Sequence, residues 1–329
     1  LAVIYARYKY YKEEGKYRIM VIERNTRKVT KGVKKTNRKN LSDYGWAYLM
    51  IAPTILGLIV LNIWPLIQTC YLSFTKTSGF GKNQWVGLDN YIRMFSDSSV
   101  MHAVINTLEY TVISVPVGVI ISLFIAVLLN SKIKGKTIYR TIYFLPMVSA
   151  PAAIAMVWRW LYSSDYGLFN YLLSLVGISG VKWLTDPNIA LISVIVVGIW
   201  STIGYNMVIL LAGLQEIPKS FYEAADIDGA GPIRQFFAIT FPLVSPTMFF
   251  VVVTTMISSL QVFDYIFMMI DKTNIAMEKT QSLVYLFYKY SFITNDKGYG
   301  SAIVMLLLII ILIITVVQLK LQKKWVHYQ

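Results

Sequence analysis

LQEIPKSFYEAADIDGAGPIRQFFAITFP, Leu214 to Pro242, is a polar interruption in an otherwise apolar sequence, and its reading decides the fold. On both sides the chain stays apolar for the length of a membrane crossing. Pro218 suits the first turn of a helix, where a missing N–H is no loss. Phe221, Ala224, Ala225 and Asp228 follow at helical spacing, and Gly229 supplies a C-terminal stop. A second short helix is expected to begin at Pro232 and to end before Pro242. The product is a compact helix–turn–helix lying against a membrane. Ala224 and Ala225 form a shallow face that another protein's backbone can approach, with Glu223, Asp226, Asp228 and Arg234 as polar handles around it.

Composition carries the membrane reading to the whole chain. Soluble domains are about 45–50% apolar, whereas these 329 residues are 56% hydrophobic with a mean hydropathy of +0.55. A threshold of about 20 apolar residues places six spans, at Trp46–Phe74, Ile105–Asn130, Thr141–Tyr162, Ile189–Leu211, Leu243–Ile270 and Ser301–Leu319. Pro53, Pro65, Pro116, Pro146 and Pro151 are tolerable there where neighbouring helices satisfy the freed backbone groups. Gly118, Gly198 and Gly204 permit close helix approach. The fold class expected is an all-α polytopic membrane protein with six transmembrane helices.

The net charge of +14 does not point to nucleic acid, because the basic residues sit between apolar runs with no groove-reading motif. They set orientation instead. With a cytoplasmic N-terminus, the inside segments hold 22 Lys and Arg and the outside segments 8. Lys132, Lys134, Lys136 and Arg140 in one short loop fix the sense, since loops with this bias stay inside. Both termini and the Glu223 loop then face the cytoplasm. Residues 1–45 form a basic arm, 46–319 the transmembrane domain with its loop at 214–242, and 320–329 a cytoplasmic tail. The stretch Arg24–Asn40 reads as a solvated arm; near anionic lipid it gains about 1 kcal/mol per basic residue. Cys70 is the lone cysteine, and His102 and His327 are too few for a metal site. No span holds a cluster of His, Asp or Glu, so no enzyme activity is expected.

The spacing of the opening stretch identifies it. Glu223-Ala224-Ala225, three residues, Gly229, nine residues, Ile239, one residue, Phe241-Pro242 resembles the EAA loop of the membrane subunits of ABC importers, E-A-A-x3-G-x9-I-x-L-P. Only Phe241, in the leucine position, departs from it. The segments Asn106–Pro116, Leu128–Ala150, Trp158–Tyr162, Gly167–Asn170, Gln261–Phe267 and Leu321–Tyr328 are similar to the sugar permeases of the maltose-type carbohydrate-uptake family. They look like the first of its two permease types, from about Leu41 onward. MMIDKTNIAMEKT (Met268–Thr280) replaces that family's Gly-Gly-Pro turn, so the outer loop there is expected to differ in shape.

The resemblance implies a type I ABC importer permease, in the cell membrane, moving a sugar or oligosaccharide. It implies a heterodimer with a second permease subunit, two cytoplasmic ATPase subunits and an extracytoplasmic sugar-binding protein. This chain lacks a G-x-x-x-x-G-K-[ST] loop, so it has no cofactor of its own, and ATP and Mg belong to the partner subunits. Glu223, Ala224, Ala225, Asp228, Gly229 and Pro242 are the ATPase-coupling residues implied, with Glu223 positioning the loop by hydrogen bonds or ion pairing. From the residues alone, the polar groups of spans four and five are cavity candidates, because intramembrane polar groups are costly and tend to line cavities. The maltose-type resemblance narrows them to Gly198, Ser201, Thr202, Tyr205, Ser258, Ser259 and Val262. The alternatives are a permease for a polyol or a sugar phosphate, and an ATP-independent secondary transporter. A phosphate would want Arg or Lys in spans four and five, which have none. A secondary transporter should show paired ionisable groups, or repeats with broken helices, and the sequence displays neither.

Overall fold

A computed structural model describes residues 11–13, 16–18, 41–77, 83–131 and 133–327. The arm Arg24–Asn40 lies outside the described residues. The chain divides into two compact units, Leu1–Pro65 and Leu66–Gln329.

In the first unit, β1 (Tyr11–Glu13) pairs antiparallel with β2 (Lys16–Arg18). Helix α1 (Leu41–Leu58) exposes apolar side chains along its length, Met50 and Leu56 among them. It continues through a π-turn at Ile59–Ile63 into α2 (Trp64–Ser73). The π-turn has a local cause. Proline has no N–H to donate, and its ring presses on the carbonyl four residues back. Just ahead of Pro65 the Trp64 amide instead reaches the Ile59 carbonyl, five residues back, and the wider turn lets the helix run on.

The second unit begins within α2, at Leu66, and goes on to the antiparallel hairpin of β3 (Thr75–Thr77) and β4 (Asn83–Trp85). It continues through α3 (Asp89–Ser96), α4 (Ser98–Asn130), α5 (Lys136–Val148), α6 (Pro151–Leu161) and α7 (Leu168–Leu175). Then come α8 (Ala190–Glu216), α9 (Lys219–Ile227), α10 (Pro232–Gln235), α11 (Phe241–Leu260), α12 (Asp264–Met269), α13 (Leu283–Tyr288) and α14 (Lys297–Trp325). Among the described residues five helices are long and apolar enough to cross a membrane, or six if one bent pair counts as a span. The protein is an all-α membrane protein.

Three expectations are corrected. The span Thr141–Tyr162 is not one straight helix, because α5 and α6 meet at 101°. Ala150 precedes Pro151 and is forced to extended backbone (φ −61°, ψ 132°), while Pro146 has already removed one helical donor. A broken helix is therefore present, contrary to the sequence reading. Next, the helix from Pro232 does not stop before Pro242. It passes through a second π-turn, Phe236–Thr240, where the Phe241 amide bonds the Phe236 carbonyl directly ahead of the proline, and forms one helix of 29 residues, Pro232–Leu260. Last, the fifth span ends at Leu260 rather than Ile270. Gln261 and Val262 donate to Ser258 and Ser259 in a tightening turn, and Ser282 Oγ donates to the Val262 carbonyl at 2.6 Å, tying the turn down.

The core is built on α8. Met207, Leu210 and Leu211 pack with Val115, Val119 and Leu123 of α4 and with Val244, Met248 and Val251 of α11. Lipid is as apolar as leucine, so association rests on close packing and interhelical hydrogen bonds. Thr255 Oγ1 donates to Asn206 Oδ1 at 3.1 Å, Ser114 Oγ to Ser259 Oγ at 3.3 Å, and Ser122 Oγ reaches the Ile203 carbonyl at 3.3 Å. Gly204 sets the approach of α5. A Cβ there would overlap the Tyr143 carbonyl oxygen and lie 2.7 Å from its carbon.

The other end of α4, far from α9, is held by a polar network with no sequence signal. Asp97 caps α4 by accepting from the Ser99 amide at 2.9 Å, and its other oxygen accepts from the hydroxyls of Tyr299 (2.8 Å) and Tyr290 (3.2 Å). Arg93 pairs with Asp296 at 2.7 Å, its guanidinium 3.8 Å from the Tyr299 ring centroid. Burial pushes the Asp97 carboxyl up, but the bonds from Tyr299, Ser99 and Tyr290 outweigh it and hold the group below its ordinary value. Ionised Asp97 thus stabilises the fold above the ordinary carboxylate pKa, and the contribution is lost as pH falls through the lowered native value. Asp97→Asn should cost about 1–2 kcal/mol at neutral pH. In thermal unfolding of the purified protein, the gap between native and variant should close below about pH 4.

Candidate functional site

Two places carry the chemistry, a loop and a cavity, and α8 and α11 join them. In the loop, Pro218 stands at the N-cap of α9, in extended backbone, rather than within its first turn. The Tyr222 hydroxyl meets Thr240 Oγ1 at 2.9 Å, which fixes α9 against the π-turn ahead of α11. After Asp228 the chain turns at Gly229, whose φ of +71° lies in the left-handed region that only glycine enters freely. The Gly229 amide donates to the Asp226 carbonyl and the Ala230 amide to that of Ala225. Gln235 Nε2 then donates to Asp226 Oδ1 at 2.6 Å and to the Ala230 carbonyl at 2.9 Å.

The internal tie of the loop is therefore Asp226–Gln235. The sequence reading gave positioning to Glu223, yet Glu223 is exposed and makes no hydrogen bond or ion pair among the described residues. Ala224 and Asp228 are exposed, whereas Ala225 and Pro242 are half-buried. Sequence reasoning missed the apolar rim. Ile227 is 88% and Ile233 77% exposed, far more than an isoleucine on a finished surface. The only signal was two large apolar residues flanking a charged turn.

The cavity, about 210 Å³, lies where α4, α8 and the α11–α12 joint meet. Gly198, Ser201 and Thr202 line it from α8, Ser258 and Ser259 from α11, and Val262 from the joint. Tyr205 does not line it. It sits almost a turn further along α8, 37% exposed. Gln261, Phe263, Asp264, Tyr265 and Tyr110 complete the wall. The Ser201 and Thr202 hydroxyls donate to the Gly198 carbonyl at 2.8 and 3.2 Å; the Ser201 hydroxyl also bonds the Tyr265 side chain, while the Thr202 oxygen keeps its capacity to accept. The wall thus offers hydroxyls, an amide, a carboxylate and aromatic faces, with no Lys or Arg. Such a surface fits a polyhydroxylated solute. Tyr110 was missed because an aromatic in an apolar span reads as core.

The family model for the inner membrane component of binding-protein-dependent transport systems matches residues 118–327. The probable ABC transporter permease protein YesP of Bacillus subtilis is 35% identical over 90% of this chain and 96% of its own. The trehalose/maltose transport system permease of Thermococcus litoralis is 34% identical over 83% of this chain and 92% of its own. The sn-glycerol-3-phosphate permease of Yersinia pestis reaches 33% over 86% and 95%. In fold, the chain is similar to a subunit of a bacterial alginate ABC transporter crystallised with its pentasaccharide-bound periplasmic protein. That match has a TM-score of 0.79 at 22% identity, covering 88% of this chain and 98% of the other. The chain belongs to the permease subunits of binding-protein-dependent ABC importers, in their carbohydrate-uptake branch.

Proposed function

We propose that this permease carries a neutral sugar or oligosaccharide through the cavity between α4, α8 and α11, and that the loop at 214–242 couples it to ATP hydrolysis in partner subunits. The cavity wall carries the first part: hydroxyl and aromatic groups with one carboxylate, Asp264, and no cation. A sugar phosphate, the solute named for the Yersinia pestis relative, would meet that carboxylate without a compensating charge. Continuity carries the second part. The last turn of α8 leads within two residues into α9, and the helix after the turn is the one that bears Ser258 and Ser259. A rigid body seated on α9 would tilt both walls of the cavity together.

In this reading the bent α5–α6 pair is the third of six spans, both termini and the loop face the cytoplasm, and 46–319 is the membrane domain with a tail beyond it. The partners are a second permease, two ATPase subunits holding ATP and Mg, and an extracytoplasmic receptor. Glu223, Ala224, Ala225, Asp228, Gly229 and Pro242 form the coupling surface. The break between α5 and α6 has a proline cause, so it lends no support to an ion-coupled transporter. The test is uptake into proteoliposomes holding the complete complex, with labelled trehalose, maltose, sn-glycerol 3-phosphate and an alginate oligosaccharide. Accumulation of a neutral sugar that requires both ATP and receptor is expected. Uptake of sn-glycerol 3-phosphate alone, or accumulation without ATP, would contradict it.

A further inference from the structure

We infer that Tyr110 contacts the solute, donating a hydrogen bond from its hydroxyl, and that its ring against Gly198 sets the depth of the cavity. The inference rests on the cavity being the solute path. Tyr110 is 5% exposed, yet it lines the cavity. Its hydroxyl makes no hydrogen bond among the described residues, although Ser114, Ser122, Thr107 and Thr111 on the same helix are all bonded. The hydroxyl opens on the cavity rather than lying sealed in the core, so a hydroxylated solute there would supply the acceptor that it lacks within the chain.

The same residue limits size. A Cβ at Gly198 would overlap the Tyr110 hydroxyl and lie 2.9 Å from the ring carbon bearing it. Glycine at 198 is therefore what lets the ring lie back against α8 rather than project into the solute space. The two residues act as one wall. One supplies a donor, and the other supplies the room to hold it aside.

The test uses the complete complex with the four labelled solutes named above. Tyr110→Phe keeps the ring and deletes one oxygen. Uptake of the carried sugar per ATP hydrolysed should fall about threefold to tenfold. A derivative of that sugar lacking the bonded hydroxyl should move equally well through native and variant complexes, an equality that a purely structural tyrosine would not produce. Gly198→Ala should lower uptake by more than about tenfold as the ring is driven into the cavity. Unchanged uptake in Tyr110→Phe, or no deoxy-sugar that equalises the two, overturns the donor role; normal uptake in Gly198→Ala overturns the depth role. If the native complex moves none of the four solutes, the reading of the cavity falls, and the role of Tyr110 with it.

Discussion

Gly229→Val should leave the complex inserted and its ATPase subunits active while uptake falls by at least about tenfold. The expectation follows from backbone geometry alone. Nothing lies within 4 Å of a Cβ placed on Gly229, so a side chain meets no obstacle there. The penalty comes from φ +71°, where an L-residue costs about 1–2 kcal/mol and a β-branched one more. The loop can relieve that strain only by giving up the bonds around it, from Ala230 to Ala225 and from Gln235 to Asp226. Either loss loosens the turn and leaves the Tyr222–Thr240 contact as the remaining polar tie between α9 and the helix that follows, and a slack lever transmits less of the stroke. Gly229→Asn is the matched control, because asparagine tolerates the left-handed region; it should keep most of the uptake. Hydrolysis and uptake measured in the same vesicles separate uncoupling from simple loss of the protein.

Gly204→Val should act through assembly instead. Tyr143 presents its backbone carbonyl where the new Cβ would stand, with the Phe144 Cα at 3.0 Å. Backbone cannot rotate aside as a side chain can, so α5 must move away from α8. Overpacking of this kind costs about 1–3 kcal/mol or more, and here the displaced element is half of the bent pair. Loss of monodisperse protein, or a thermal midpoint lowered by roughly 5 °C or more, is expected on purification. Gly57→Ala, at a site with open space around it, should change the midpoint little.

The features legible in sequence were those with a period or a spacing. Five of the six expected spans coincide with long apolar helices among the described residues, and the loop follows from the positions of Glu223, Ala224, Ala225 and Gly229. Hydropathy averages over the places where a helix stops. Val262 to Ile270 is as apolar as what precedes it, so the turn at Ser258–Val262 left no mark on the profile. Pro146 and Pro151 were in view, but a membrane helix can survive a proline, and only the packing shows that this one bends. For the cavity, counting along α8 and α11 brought Gly198, Ser201, Thr202, Ser258, Ser259 and Val262 to one place. Tyr205 stays outside that lining, almost a turn further along α8. Tyr110 and Asp97 lie far in sequence from their partners, Gly198 and Tyr299, and those contacts are set by tertiary packing that no local pattern encodes.

The lone cysteine makes the decisive measurement simple. In a Cys70→Ser chain carrying Ala224→Cys, a membrane-impermeant maleimide should label the exposed face of α9 only from the cytoplasmic side, and bound ATPase subunits should block it. Labelling from the outside, or labelling unaffected by the ATPase, would contradict a loop that serves as the handle for an ATP-driven partner.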